Sequence, residues 1–233
     1  MNWQKITAGA AGSIGALLIT TATVFAATPF TLFGGATNIT NGASLVSDVS
    51  NPSTTDDFSG IDLTIPNNMT FADIVSLSTT YNVGDDDCMG GSPRFQVHLN
   101  TTSGTKSMFI YLGPTPNFTG CAAGDLATGN LIGSTDARFD LTQLGGPFYG
   151  TYNDALAYAA GLKVLGVQVV ADAGWAFSDM EQTIAVTNPT ITFASSAVTS
   201  KEQCKNNGWM SMGSPTFKNQ GECVSYFAKR GLR

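Results

Sequence analysis

The sequence is poor in charged side chains and in the residue types on which catalytic and metal sites depend. Of its 233 residues 12% are charged, one is histidine and four are cysteine. One histidine and the lack of a CxxC spacing argue against a zinc site and against a redox-active dithiol. No GxSxG, HExxH, P-loop or dinucleotide-binding fingerprint occurs. We therefore predict a protein that is not an enzyme.

Long apolar runs are also absent, except at the amino terminus. Lys5 precedes an apolar stretch rich in Ala, Gly and Thr from Ile6 to Phe25, and Val24 and Ala26 fit the small-residue rule for cleavage. The stretch approaches the length of a membrane span, so an uncleaved anchor is the alternative. Its weak hydrophobicity favours cleavage. Residues 1–26 are thus predicted to be a signal peptide, and the protein to be secreted or held at the cell surface.

Charge is distributed unevenly along the rest of the chain. Residues 28–198 hold 15 acidic and four basic side chains, whereas residues 199–233 hold two acidic and six basic ones. An acidic body argues against nucleic acid as its partner, while the basic end could contact an anionic polymer. This change in composition predicts two units, a domain over 27–198 and a basic module over 199–233.

The four cysteines agree with an exported protein, in which disulfides form and persist. Four cysteines allow three pairings, and the sequence alone does not choose among them. Proximity along the chain favours Cys88–Cys121 within the body and Cys204–Cys223 within the basic module.

Two β-rich runs dominate the body, Val164–Ala171 and Glu181–Phe193. Alternation in the first run places Leu165 on the same face as Val167, Val169 and Ala171. The run is apolar on both faces, as is typical of a strand inside a sheet. Both runs are therefore expected to lie at the centre of sheets.

The remaining body contains many short alternating runs separated by Gly, Pro and Asn turns, including Arg94–Asn100. Only Thr151–Gly161 has the pattern of a helix, with Thr151 as the cap and Asp154 three residues later. This pattern predicts an all-β fold, a jelly-roll-like antiparallel β-sandwich with one short helix. A small disulfide-closed module is expected to follow it.

Several motifs add a resemblance. They are Gly90–Val97, Phe109–Pro114 and Asp172–Trp175 in the body, and CK, GW, FKNQG and CVSY within Thr199–Arg233. The body resembles a recurring type of uncharacterised bacterial secreted β-sandwich protein, and the tail is similar to a short carboxy-terminal two-cysteine module found on such proteins. The resemblance implies a bacterial origin and export, and it implies no activity.

Candidate ligand-binding residues follow from what a sandwich needs to hold a sugar, namely aromatic rings for stacking and polar groups that orient hydroxyls. Trp175, with Phe148, Tyr149 and Tyr152, could supply the rings. Arg94, Gln96 and His98 could line a polar strand face. The alternative is that the aromatic side chains close the ends of the core.

Two acidic clusters offer other chemistry. Asp85, Asp86 and Asp87 lie in a loop and could bind structural calcium, although their spacing matches no known calcium loop and plain acidic surface is the alternative. We expect no other cofactor. Asp172, Asp179 and Glu181 flank Trp175 and could in principle do acid–base work, but a solvated loop explains them equally.

The sequence thus favours a secreted, non-enzymatic β-sandwich protein that binds an extracellular partner, either a polysaccharide or an anionic cell-envelope polymer. The alternative is a structural cell-surface protein that associates with itself. A glycoside hydrolase has less support.

Overall fold

The computed structural model describes residues 27–50, 57–175, 181–194, 201–205, 207–211 and 216–229. The predicted signal peptide and Asp179 lie outside these residues, as does the side chain of Trp175. Eleven strands are described: β1 (Phe30–Phe33), β2 (Thr37–Ile39), β3 (Gly42–Asp48), β4 (Ser59–Leu63), β5 (Ile74–Asp85), β6 (Arg94–Thr101), β7 (Gly104–Tyr111), β8 (Leu126–Ala127), β9 (Phe139–Asp140), β10 (Lys163–Ala171) and β11 (Glu181–Phe193).

These strands form two antiparallel sheets. The six-stranded sheet has the order β1-β4-β10-β6-β7-β9, and the five-stranded sheet has the order β2-β3-β11-β5-β8. Their inner faces share one hydrophobic core, with Phe95 and Val169 from the first sheet and Leu45 and Ile184 from the second, all without exposed surface. This is the packing of a β-sandwich, and it confirms the predicted fold class.

The two runs predicted to be central are central. Strand β10 lies between β4 and β6, and β11 lies between β3 and β5. One detail of the prediction was wrong, because Leu165 is 45% exposed while Val164 is buried. The register between β10 and β6 shifts between Val164 and Gly166, and such a bulge reverses the faces of the residues before it.

The predicted helix is present as α1 (Tyr152–Ala159). Thr151 accepts a hydrogen bond from the Asp154 backbone, and the Asp154 side chain bonds back to Thr151, so the capping box read from the sequence is formed. Ala155 and Ala159 face the core. Tyr152 packs between Phe71 and Phe139, with ring centroids 6.1 and 6.0 Å away.

The carboxy-terminal segment contains a second helix, α2 (Gln220–Lys229), which the sequence analysis did not predict. Cys204, Cys223 and Phe227 are buried in a small cluster, against which Trp209, Phe217 and Tyr226 pack. The disulfides Cys88–Cys121 and Cys204–Cys223 are both formed, as proximity favoured. No helix in the described part of the chain is long and apolar enough to cross a membrane.

Candidate ligand-binding face

The outward face of the six-stranded sheet carries two neighbouring rows of side chains. Cross-strand register aligns Asp62, Gln168, Gln96 and Phe109 in one row. The next row contains Gly60, Val170, Arg94 and Tyr111. Since side chains alternate between the faces of a strand, and the intervening Ile61, Val169, Phe95 and Ile110 are buried in the core, both rows point away from it. Polar groups from four strands therefore meet on one surface.

Hydrogen bonds fix the polar side chains of this surface relative to one another. Gln168 Nε2 donates to Asp62 Oδ1 at 2.6 Å. His98 Nε2 lies 3.0 Å from Gln168 Oε1 and 3.3 Å from Gln96 Nε2, and its Nδ1 lies 3.0 Å from Ser107 Oγ. A network that crosses four strands holds its members in defined rotamers, which lowers the entropy lost when they bind a ligand.

Arg94 is the most constrained member of the face. Its Nη2 forms an ion pair with Asp172 Oδ2 at 2.8 Å, and its Nη1 donates to the Gly91 carbonyl at 2.9 Å. The guanidinium stands over the Phe109 ring, 5.2 Å from its centroid. These contacts leave 10% of the Arg94 side chain and 24% of the Asp172 side chain exposed.

A cleft of about 480 Å³ opens on this face, lined by Phe33, Phe58, Asp62, Arg94, Gln96, Gln168, Val170 and Asp172. The Phe33 ring lies directly against the backbone of Gly60, where a Cβ would stand 2.4 Å from the ring. Phe58 is 53% exposed and contacts Phe33, with ring centroids 6.1 Å apart. The cleft thus has an aromatic wall beside fixed amide and carboxylate groups.

A buried polar network supports the cleft from behind. Ser92 Oγ accepts from the Asp172 backbone N–H at 2.8 Å and donates to Gln182 Oε1. Gln182 Nε2 in turn donates to the Asp87 carbonyl at 2.6 Å, next to the Cys88–Cys121 disulfide. This chain of contacts joins β11 of the second sheet to the segment that carries Asp172, and thereby to the ion pair.

Of the seven candidate ligand-binding residues, two line the cleft, Arg94 and Gln96, and a third, His98, lies beside them with its Nε2 3.3 Å from Gln96 Nε2. Tyr149 belongs to a separate aromatic cluster with Phe148, which is also exposed, and with Tyr111 and Phe118, which are buried. Tyr152 packs on the core, where burial raises its pKa. Trp175 follows the cleft residue Asp172 in a 3-10 turn over Ala173–Trp175, but its side chain lies outside the described residues.

Five lining residues were not predicted as site residues: Phe33, Phe58, Asp62, Gln168 and Val170. A signal was available for two of them, because Asp62 and Gln168 are polar positions opposite buried apolar ones in strongly alternating runs. Phe33 and Phe58 have no such signal.

The aspartate loop does not have the geometry of a ready calcium site. Asp87 Oδ1 accepts from the backbone N–H groups of Cys88 at 2.6 Å and Cys121 at 2.5 Å, so that it braces the disulfide. Within the described residues, the one group of three close metal-ligand side chains is Asp87, Cys88 and Cys121. Its two sulfurs are joined as a disulfide, which does not fit a metal ion. Calcium at Asp85, Asp86 and Asp87 stays a prediction.

Comparisons with known proteins add little to this geometry. No family model and no curated protein matches the sequence. Among solved structures, that of an exo-β-agarase is similar to 70% of this chain at 11% identity, with a TM-score of 0.31. This chain spans 22% of the agarase chain. A match at that level bears on neither the fold nor the function.

Proposed function

We propose that the protein is a secreted, non-enzymatic binding protein for a neutral polysaccharide, which it holds in the cleft on the outward face of the six-stranded sheet. The observation that carries this proposal is the cleft itself, where exposed aromatic rings stand beside amide and carboxylate groups already fixed by hydrogen bonds. Sugar rings offer apolar C–H faces and a rim of hydroxyls, so they match both kinds of group.

Size and charge support the same ligand class. The volume of about 480 Å³ falls within the roughly 300–1,000 Å³ of small-ligand sites. The lining holds two carboxylates, Asp62 and Asp172, and one guanidinium, Arg94, in a body with a large acidic excess. An anionic polymer would be repelled from such a surface, whereas a neutral one would not.

The non-enzymatic part of the proposal rests on how the cleft carboxylates are used. Asp172 is ion-paired with Arg94, and Asp62 accepts from Gln168. Glycoside hydrolysis needs one carboxyl group that stays protonated and a second that is ionised. Asp172 spends one oxygen on the Arg94 ion pair and the other on the Gly174 backbone N–H, which suits a structural role for it.

The test is affinity electrophoresis of the purified protein through gels containing laminarin, xylan, galactomannan, agarose or, as an acidic polymer, polygalacturonate. We expect retardation by at least one neutral polysaccharide, and any retardation by polygalacturonate should be unaffected by Phe58→Ala. Phe58→Ala should weaken it, while Val75→Ala should not, because Val75 is 47% exposed on the other sheet. Free migration in every neutral gel would refute the proposal, as would equal retardation of Phe58→Ala and wild type.

A second candidate function belongs to the basic module. Lys205, Lys218 and Lys229 are exposed there, and residues 199–233 carry six bases against two acids. Attachment to an anionic cell-envelope polymer would use these charges and would weaken as salt rises. Cosedimentation with isolated cell walls should fall in the triple Lys→Gln variant, with retardation in neutral gels unchanged. Undiminished cosedimentation would exclude this role.

A further inference from the structure

A second group of aromatic side chains lies at the opposite edge of the same sheet, and two of its four rings are exposed. Tyr111, Phe118, Phe148 and Tyr149 form this distal aromatic cluster. Phe148 and Tyr149 stand closest, with ring centroids 4.6 Å apart, and Tyr149 meets the Tyr111 ring edge-on at 5.8 Å. Phe148 is 44% exposed and Tyr149 is 40% exposed. The cluster therefore presents aromatic surface to solvent, as Phe33 and Phe58 do in the cleft.

The two aromatic surfaces lie along one row of the sheet. Cross-strand register runs from Phe33 to Gly60, Val170, Arg94 and Tyr111 in consecutive steps. The isolated bridge between Phe139 and Gly150 then extends the sheet to the Phe148–Tyr149 segment. With adjacent strands about 4.8 Å apart, β1 and β7 are separated by roughly 19 Å across the face. A monosaccharide cannot reach both ends of such a row.

The side chains between the two aromatic ends are nearly buried, and the charged one among them is paired. Val170 and Arg94 are 3% and 8% exposed, and Arg94 is ion-paired. Asp140, at the distal end, is buried and accepts from Tyr111 Oη at 2.7 Å and from the Thr142 backbone and hydroxyl at 2.9 and 2.6 Å. A neutral chain that crosses the row would therefore meet a paired guanidinium and a hydrogen-bonded carboxylate rather than bare charges.

We infer that the polysaccharide lies across the strands rather than along them, extending from the Phe33–Phe58 wall to the distal aromatic cluster, with Tyr149 as its far stacking platform. The inference rests on the proposed function and adds the orientation and the extent of the site. The ligand is an internal stretch of several sugar units, not a free chain end or a single sugar, and affinity increases until the chain reaches both platforms.

The experiment compares wild type with Phe58→Ala, Tyr149→Ala and the double variant in the same neutral gels, with Val75→Ala and Tyr149→Phe as controls. Each alanine variant should lose roughly fivefold to tenfold in affinity, the range expected for removing one aromatic contact. The double variant should lose the product of the two factors. Tyr149→Phe keeps the ring and should bind nearly as wild type. Melting curves identify any variant that fails to fold.

Competition with short oligosaccharides tests the extent of the site. Disaccharides and hexasaccharides of the retarding polymer are added to wild type and to Tyr149→Ala. The hexasaccharide should compete better against wild type, and Tyr149→Ala should remove most of that advantage. If Phe58→Ala weakens binding while Tyr149→Ala binds as wild type, the extended site is wrong and the proposed cleft stands. If wild type is retarded by no neutral polymer, both fail.

Discussion

The ion pair between Arg94 and Asp172 allows a sharp prediction, because its two partners differ in their access to water. Arg94 retains 10% exposure of its side chain and Asp172 retains 24%. Asp172→Ala leaves a guanidinium charge almost sealed from solvent, held by the Gly91 carbonyl and the Phe109 ring. Breaking a fully buried pair costs 3–5 kcal/mol, and since this pair is partly hydrated we expect about 2–3 kcal/mol.

Arg94→Met should cost less. Methionine retains much of the apolar stem that packs on the sheet, and the Asp172 carboxylate that remains can draw on water. It also keeps the hydrogen bond that its Oδ1 accepts from the Gly174 backbone at 3.2 Å. We expect about 1–2 kcal/mol for this change. The double variant should cost less than the sum, with a coupling of at least about 1 kcal/mol, because it removes both charges and leaves neither without its partner.

The assay is equilibrium urea unfolding of the four proteins with both disulfides intact, with the free energy of unfolding extrapolated to water. If the slope of the unfolding free energy against urea concentration is the same in all four proteins, the substitutions have altered only stability. A larger loss for Arg94→Met than for Asp172→Ala would refute the reasoning from exposure. Losses that add within about 0.5 kcal/mol would show that the pair is not coupled in the folded protein.

Three further predictions concern the residues that support the cleft and Tyr111 of the distal aromatic cluster. Replacing Cys88 and Cys121 by Ser should lower the free energy of unfolding by about 4 kcal/mol, from the loop entropy of a 33-residue separation, measured by urea unfolding. Gln182→Leu should cost about 2–3 kcal/mol in the same assay, because it leaves the buried Ser92 hydroxyl without its acceptor, and a loss below 1 kcal/mol would contradict the network. Burial, aided by the Asp140 carboxylate, raises the pKa of Tyr111 well above 10.0. The neutral Tyr111 therefore stabilises the folded protein fully below about pH 10, and this stabilisation is lost above pH 10 because Tyr111 ionises in the unfolded chain. The free energy of unfolding, measured from pH 8 to 11, should therefore decline less steeply in Tyr111→Phe than in wild type. Parallel curves would contradict a raised pKa of Tyr111 in the folded protein.

Features set by local sequence could be predicted. The capping box of α1 needs only Thr151 and Asp154, three residues apart. The interior position of β11 follows from an alternating run, whose inward residues Gln182, Ile184 and Val186 are all buried. Proximity along the chain also favoured the cysteine pairing that the structure has.

Features set by long-range pairing could not be predicted. The bulge at Gly166 depends on how β10 meets β6, and it moved Leu165 to the outer face. The cleft depends on the strand order β1-β4-β10-β6, which brings Phe33, Asp62, Gln168 and Gln96 together from distant parts of the chain. The sequence indicated Arg94 and Gln96 as a polar strand face, but not the aromatic wall that stands opposite them.

The central claim is that a neutral polysaccharide binds on the outward face of the six-stranded sheet. Its most direct test is a nuclear magnetic resonance titration of the isotope-labelled protein with soluble oligosaccharides prepared from laminarin, xylan, galactomannan and agarose. The account predicts shifts in the side-chain amide signals of Gln96 and Gln168 and in backbone signals of β4, β10, β6 and β7 for at least one of them. Shifts confined to β3, β11 and β5 or to residues 201–229, or no shifts with any of the four, would contradict it.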